Sequence, residues 1–255
     1  MLKVTVKTDK PQNIALKVYN DSQKDTYFMD RTKMINGTED LFVRMPMSPY
    51  TTTIKIFNVA NGDQRKGVDK TFDVISVKQE ELEKTLGRTK MDIPIVKNFV
   101  SFAQKFAYNA GWIAPKDYNS VVGGFKIEYL PFITNLQTGQ KMSTPARVST
   151  KNGRIQVSQE AFVPMTVPMR MAILLHEFSH YYLNSDISNE TEADLNGLTI
   201  YLGLGYPIRE AYAAFGDTFV GHPSAQNKIR YDIINKFIKD YIDEYKIKDV
   251  YAKWN

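Results

Sequence analysis

The stretch Met171–Gly197, "MAILLHEFSHYYLNSDISNETEADLNG", decides how this chain is read. It holds two of the three histidines in 255 residues, and the third, His222, follows in "GHPSAQNKIR". His176, Glu177 and His180 make H-E-x-x-H. On a helix the i, i+4 spacing puts both imidazoles on one face, about one turn apart, where both can reach a single Zn²⁺. Glu177 lies next to the first histidine, close enough to take the proton of a water at that metal. Two buried histidines sharing a face would be the bland account. The glutamate between them makes the metal account the stronger one.

A catalytic zinc needs a third protein ligand and an open position. The helix breaks near "NSDIS", and Ser188 can cap a new one whose first turns carry Glu190, Glu192 and Asp194. Glu190 and Asp194 are four apart and share a face. An antiparallel return could bring Glu190 to the metal and leave Asp194 one turn on, placed to accept an N–H from a ligand histidine. Glu192 points elsewhere. The connection from His180 is short, and if it cannot turn, Glu192 or Asp194 becomes the ligand. His222 could donate to the oxyanion of a tetrahedral intermediate or fill the open position at rest. Tyr181, Tyr182 and Tyr201 are further candidates for that donor, and they read equally well as core aromatics.

"HEFSH" followed by "NETEAD" resembles the gluzincin metallopeptidases, whose hallmark is H-E-x-x-H plus N-E-x-x-x-D. The E-x-x-A-D form is closer to the CAAX-protease-type (HtpX-like) peptidases and their soluble minigluzincin relatives. "HPSAQNKIR" is similar to their His-Pro and Arg-Ile helix, with the order here Ile229-Arg230. The resemblance implies zinc ligands His176, His180 and Glu190, general base Glu177 and a supporting Asp194. It covers roughly residues 92–245 by order of elements.

Working outward, "GRIQVSQ" before the motif helix reads as a strand at the lip of the cleft that could pair with extended substrate. "GFKIEYLPFI" and "ARVST" read as further strands. Asp92, with Pro94 in the first turn, opens a helix along Phe99, Ala103 and Phe106. Later helices start at Thr166 and Pro168, near Ser188, after Pro207 and after Pro223. The last carries Ile229, Ile233, Phe237, Ile238, Tyr241, Ile242 and Tyr245 as one apolar stripe.

Residues 2–76 alternate apolar and polar with period two: "KVTVK", "IALKVY", "LFVRM", "TTTIKIFNV" and "TFDVISV". Asn36-Gly37 and Asn61-Gly62 favour tight turns between such runs. The expected fold class is α+β: an N-terminal antiparallel β-sandwich module for docking or recognition (1–77), a linker (78–91), and a zincin-like, mainly helical metallopeptidase domain with a small edge sheet (92–255).

Composition narrows the partners. The formal charge is +5 and the basic residues are scattered among acids, so no nucleic-acid stripe is present. There is no cysteine, so a metal must be held by His, Asp or Glu. No apolar run suits a membrane span, and "MLKVTVKTDKPQ" lacks the apolar core of a secretory signal. The expected location is cytoplasm or virion. The leading expectation is a zinc-dependent endopeptidase acting on a protein or peptide. The second is a structural subunit of a phage particle or other homo-oligomer, assembled through residues 1–77, with a retained zincin-like domain.

Overall fold

The computed structural model describes residues 1–47, 49, 51–62, 69–81, 90–221 and 224–245. Among them lie two four-stranded sheets and six α-helices, a mixed α+β architecture. None of these helices is long and apolar enough to cross a membrane.

The first sheet is built on two long strands, β1 (Leu2–Asn20) and β2 (Gln23–Val43), paired antiparallel. "KVTVK" and "IALKVY" are therefore two halves of one strand, not two strands. Between Thr8 and Gln12 the register shifts: Asp9, Lys10 and Pro11 bulge opposite Asn36 alone. A bulge is where a sheet tolerates a proline, which has no ladder N–H to donate. Gly37, at φ +79°, takes the left-handed conformation across from it. Asn36-Gly37 thus serves a bend inside β2, and the hairpin turn is at Asp21-Ser22, where the Asn20 side chain accepts from the Ser22 N–H. On the other side of β1, β3 (Thr53–Asn58) pairs with residues 14–19 and β4 (Asp73–Gln79) with residues 2–7. All four strands belong to one sheet, each of the others pairing with β1, where two stacked sheets were expected. The length of β1 explains this, since one strand serves two partners end to end.

This sheet packs on the helical part through a continuous buried cluster. Val4, Val6, Ile14, Leu16 and Val18 are fully buried on its inner face. At the seam, Arg31 of β2 lies 2.8 Å from Glu210, and Thr166 donates to the same carboxylate. Burial pushes the Glu210 pKa up, and Arg31 opposes the shift. The Phe28 ring packs on Tyr108, which accepts from Asn20.

The helical part is organised around α3 (Val167–Tyr182), capped by Thr166, whose hydroxyl accepts from the Met169 N–H. A helix apolar on nearly all sides belongs inside a protein, and α3 is buried from Val167 through Leu175. The preceding helix α1 (Pro94–Asn109) stacks Phe99 on Phe178 of α3 at 4.2 Å. Its cap is Ile93 rather than Asp92, without a side-chain bond. Arg170 is fully buried, and among the described residues no carboxylate pairs with it. It donates to the carbonyls of Ala107, Phe162 and Val163, closing the C-terminal ends of α1 and of the short α2 (Gln159–Phe162).

The second sheet runs β5 (Lys116–Asn119), β6 (Lys126–Leu130), β8 (Ile155–Ser158), β7 (Ala146–Val148). β8 is held on both sides, parallel to β6 and antiparallel to β7. "GRIQVSQ" therefore cannot pair with a substrate, and the edge strand is β7. After α3 come α4 (Glu190–Gly203), capped by Asn189 rather than Ser188, then α5 (Ile208–Gly221) and α6 (Ala225–Glu244). The α6 stripe is rotated from the expected one. Arg230, Ile234, Ile238 and Tyr241 are buried, whereas Ile229 is 58% exposed.

Candidate metal centre

The short connection between α3 and α4 does turn. Asn184 donates to the Asn189 carbonyl, Asp186 accepts from the Ser188 N–H, and the Glu192 carboxylate accepts from Ser185. Glu192 is therefore spent on closing the loop, and Asn189 caps α4 by accepting from the Glu192 N–H. The turn is braced from outside as well. Lys90 donates to Asn196 at 2.5 Å, and Asn196 donates to Asn184 at 3.1 Å.

Two helices meet closely behind the site. A Cβ added at Gly197 of α4 would come within 3.0 Å of the His176 backbone nitrogen. Glycine removes that obstacle and lets α4 lie directly on α3. Glu190 and Asp194 are seven and three residues before Gly197, on the same face, and so reach the histidines.

The imidazole nitrogens His176 Nε2 and His180 Nε2 are 3.1 Å apart. Glu190 places Oε2 3.5 Å from the first and Oε1 3.6 Å from the second. One ligand atom from each of the three residues falls within 4.8 Å of the others, so the group can hold a metal ion. The outer ring nitrogens are already committed. His180 Nδ1 lies 2.8 Å from the Ile187 carbonyl, and His176 Nδ1 lies 2.9 Å from Asp194 Oδ1 in an ion-pair approach without full hydrogen-bond alignment. A carbonyl can only accept, so His180 carries its proton on Nδ1 and presents the Nε2 lone pair inward. Two nitrogens facing each other beside a carboxylate call for a cation or a shared proton.

The electrostatics agree. Burial works against charge on His176, but Asp194 and Glu190 outweigh it and raise its pKa to about 10. His176 first, then His180, hold Glu190 far below the usual carboxylate range. Asp194 is completely buried and accepts twice from Arg230, at 2.8 and 3.0 Å. The same guanidinium stands 3.1 Å from Glu190 Oε2. Arg230 thus clamps Glu190 and Asp194 of α4. In the sequence it was visible only as part of "NKIR"; its role depends on a contact across 36 residues.

Glu177 is buried, which pushes its pKa up, while His176 and His180 pull it down. Its carboxylate accepts a hydrogen bond from the Val148 backbone of β7. Together these groups line a cleft of about 380 Å³ whose walls include Ile173, Ala214 and Phe215. Thr144–Val148 form one side. In β7, Pro145, Arg147 and Ser149 face β8, so by antiparallel alternation Ala146 and Val148 turn their backbone groups outward.

Of the other candidates, His222 lies outside the described residues. Tyr181, Tyr182 and Tyr201 do not line the cleft. Tyr201 is buried and donates to the Pro207 carbonyl, and Tyr181 and Tyr182 pack on Gly153. No family model matches this chain, and neither a curated protein nor a solved structure matches it at a significant level.

Proposed function

We propose that this chain is a zinc-dependent metallopeptidase of gluzincin type, with a zincin-like arrangement of α3, α4 and the second sheet. The observation that carries the reading is the convergence of His176, His180 and Glu190 beside a buried Glu177 that is not itself among the donors. The two Nε2 atoms 3.1 Å apart, with one Glu190 oxygen 3.5 Å from His176 and the other 3.6 Å from His180, come close to the spacing of roughly 3.3 Å between ligand atoms of a tetrahedral zinc at metal–ligand distances of about 2.0–2.2 Å. Nitrogen and carboxylate donors without thiolate, on three positions, match a catalytic rather than a closed structural zinc site. Zinc bound there would supply a Lewis acid for the scissile carbonyl and make water acidic enough to attack near neutral pH.

The chain's own residues do the rest. Glu177 takes the proton of the attacking water and delivers it to the leaving amine, and its burial raises its basicity for that exchange. The Val148 N–H fixes the carboxylate against the cleft edge. Asp194 and Arg230 orient His176 and Glu190, so that the donors need no rearrangement. An extended peptide would lie along β7, using the outward Ala146 N–H and Val148 carbonyl, since the Val148 N–H serves Glu177.

The test is Glu177→Gln, which is nearly isosteric and removes only the proton acceptor. It should keep zinc and fold while turnover on an unstructured protein such as casein falls by at least roughly 10²-fold. Wild-type protein that binds zinc but cleaves nothing across a broad peptide library would instead favour the assembly role for residues 1–77.

A further inference from the structure

At the opposite edge of the second sheet from the metal cleft, we infer a separate docking site for an extended acidic polypeptide segment, lying between the outer face of α1 and the segment Tyr118–Val122. A cleft of about 400 Å³ opens there. Its floor is apolar, from Phe102, Phe106 and Ile113, and its rim is polar, from Asn98, Ser101 and Lys105. One wall is the tip of the β5–β6 hairpin, which displays Val121 at 103% and Val122 at 60% exposure. This tip is built rather than loose. Gly123 and Gly124 both take positive φ, and a Cβ at Gly123 would fall 2.4 Å from the Phe125 ring. Glycine permits this turn, and reciprocal hydrogen bonds between Ser120 and Phe125 close it, holding two valines in solvent beside a cavity. Exposed apolar groups placed next to a concave surface mark a contact site.

Two features select the occupant. Among the described residues β5 ends the sheet, pairing with β6 alone. Ser120 donates to the Phe125 carbonyl, so along β5 the backbone groups of Asp117 and Asn119 alternate outward. An extended chain can add to such an edge through main-chain hydrogen bonds while its alternate side chains enter the cleft. The second feature is charge. Helix α1 carries Lys97 and Lys105 and no carboxylate, and Lys116 follows in β5 against the Tyr118 ring. The one carboxylate of β5, Asp117, is taken by Lys126 at 2.5 Å. Of these lysines Lys105 lines the cleft; the two elements that frame it, α1 and β5, are together net basic, and the complementary segment carries aspartate or glutamate beside an apolar side chain. The concave shape and free strand edge favour a peptide over a flat lipid surface. The site does not depend on the metal centre or on the peptidase reading.

The experiment is fluorescence anisotropy with a labelled peptide of alternating aspartate and leucine, and a lysine–leucine counterpart. The full chain is used as Glu177→Gln, so that the probe survives. The acidic peptide should bind saturably, and about tenfold or more tighter than the basic one. Lys105→Glu with Lys116→Glu should weaken it by about tenfold or more, and Val121→Ser with Val122→Ser should weaken it several-fold, with zinc content and circular dichroism unchanged. Binding should persist after chelation. Loss of binding with zinc would place the peptide in the metal cleft and overturn the proposal. So would equal affinity for the two peptides, or indifference to both double substitutions. Binding to phosphatidylserine-containing vesicles that the valine substitutions abolish, with no peptide binding, would overturn it in favour of a membrane surface.

Discussion

Gly197→Ala tests whether the contact between α3 and α4 builds the metal centre. The added methyl would stand 3.0 Å from the His176 nitrogen, 3.1 Å from the Leu175 carbonyl carbon and 3.2 Å from the His176 Cα. All three are backbone atoms of a buried helix, so none can rotate aside. Ordinary contact begins near 3.4 Å, so the helices must separate by about 0.4 Å (3.4 less 3.0). Overpacking of this kind costs about 1–3 kcal/mol. Replacing a mid-helix glycine returns up to about 1 kcal/mol. The net loss of stability is therefore about 0–3 kcal/mol, below the total stability of about 5–15 kcal/mol usual for a folded domain. The metal should be the more sensitive reporter, because ligand distances tolerate only about 0.2 Å. Glu190 and Asp194 ride on α4 and would both be displaced from the histidines of α3. Zinc affinity, measured by competition with a chromophoric chelator, should fall by roughly ten- to a hundred-fold. Gly216→Ala is the control, since no atom lies within 4 Å of its added methyl. It should leave zinc binding unchanged. Gly197→Ala protein that binds zinc within about twofold of wild type would refute the reasoning, because roughly 0.4 kcal/mol is too little for a displaced ligand.

Glu190→Ala should lose zinc, whereas Glu192→Ala, which removes only the brace on Ser185, should keep it; elemental analysis after dialysis reads both. Zinc affinity should rise by about tenfold per pH unit from pH 6 to 9, because zinc needs neutral His176 while the metal-free chain holds that group charged up to about pH 10. The sign follows for stability too: in the metal-free chain the raised pKa stabilises fully below about pH 6.5 and is lost as pH rises toward about 10. Calorimetry finding a pH-independent affinity would count against the Asp194–His176 contact. Arg170→Met should destabilise by about 3 kcal/mol or more, since it strands the carbonyls of Ala107, Phe162 and Val163, and a loss under about 1 kcal/mol in urea unfolding would show that water replaces the guanidinium.

The sequence by itself determined what depends on neighbours a few residues away. H-E-x-x-H on a capped helix, the shared face of Glu190 and Asp194, the switch from strand to helix period after residue 92, and the starts of α3, α5 and α6 are all local matters of spacing and capping. The tertiary structure alone decided four things. It put β8 inside its sheet and β7 at the cleft, because strand order depends on partners from β6 that no local pattern specifies. It merged two short alternating runs into β1, because a bulge at Pro11 continues a strand where the sequence shows only a break in alternation. It turned α6 so that Arg230 faces inward, because the buried Asp194 and the more exposed Glu190 on α4 outweigh the apolar phase that would have buried Ile229. It also let Glu190 rather than Glu192 reach the histidines, because Glu192 closes the α3–α4 loop and Gly197 gives α4 no side chain where it crosses α3. Local pattern fixes which residues share a face, but only packing against distant chain decides what that face meets.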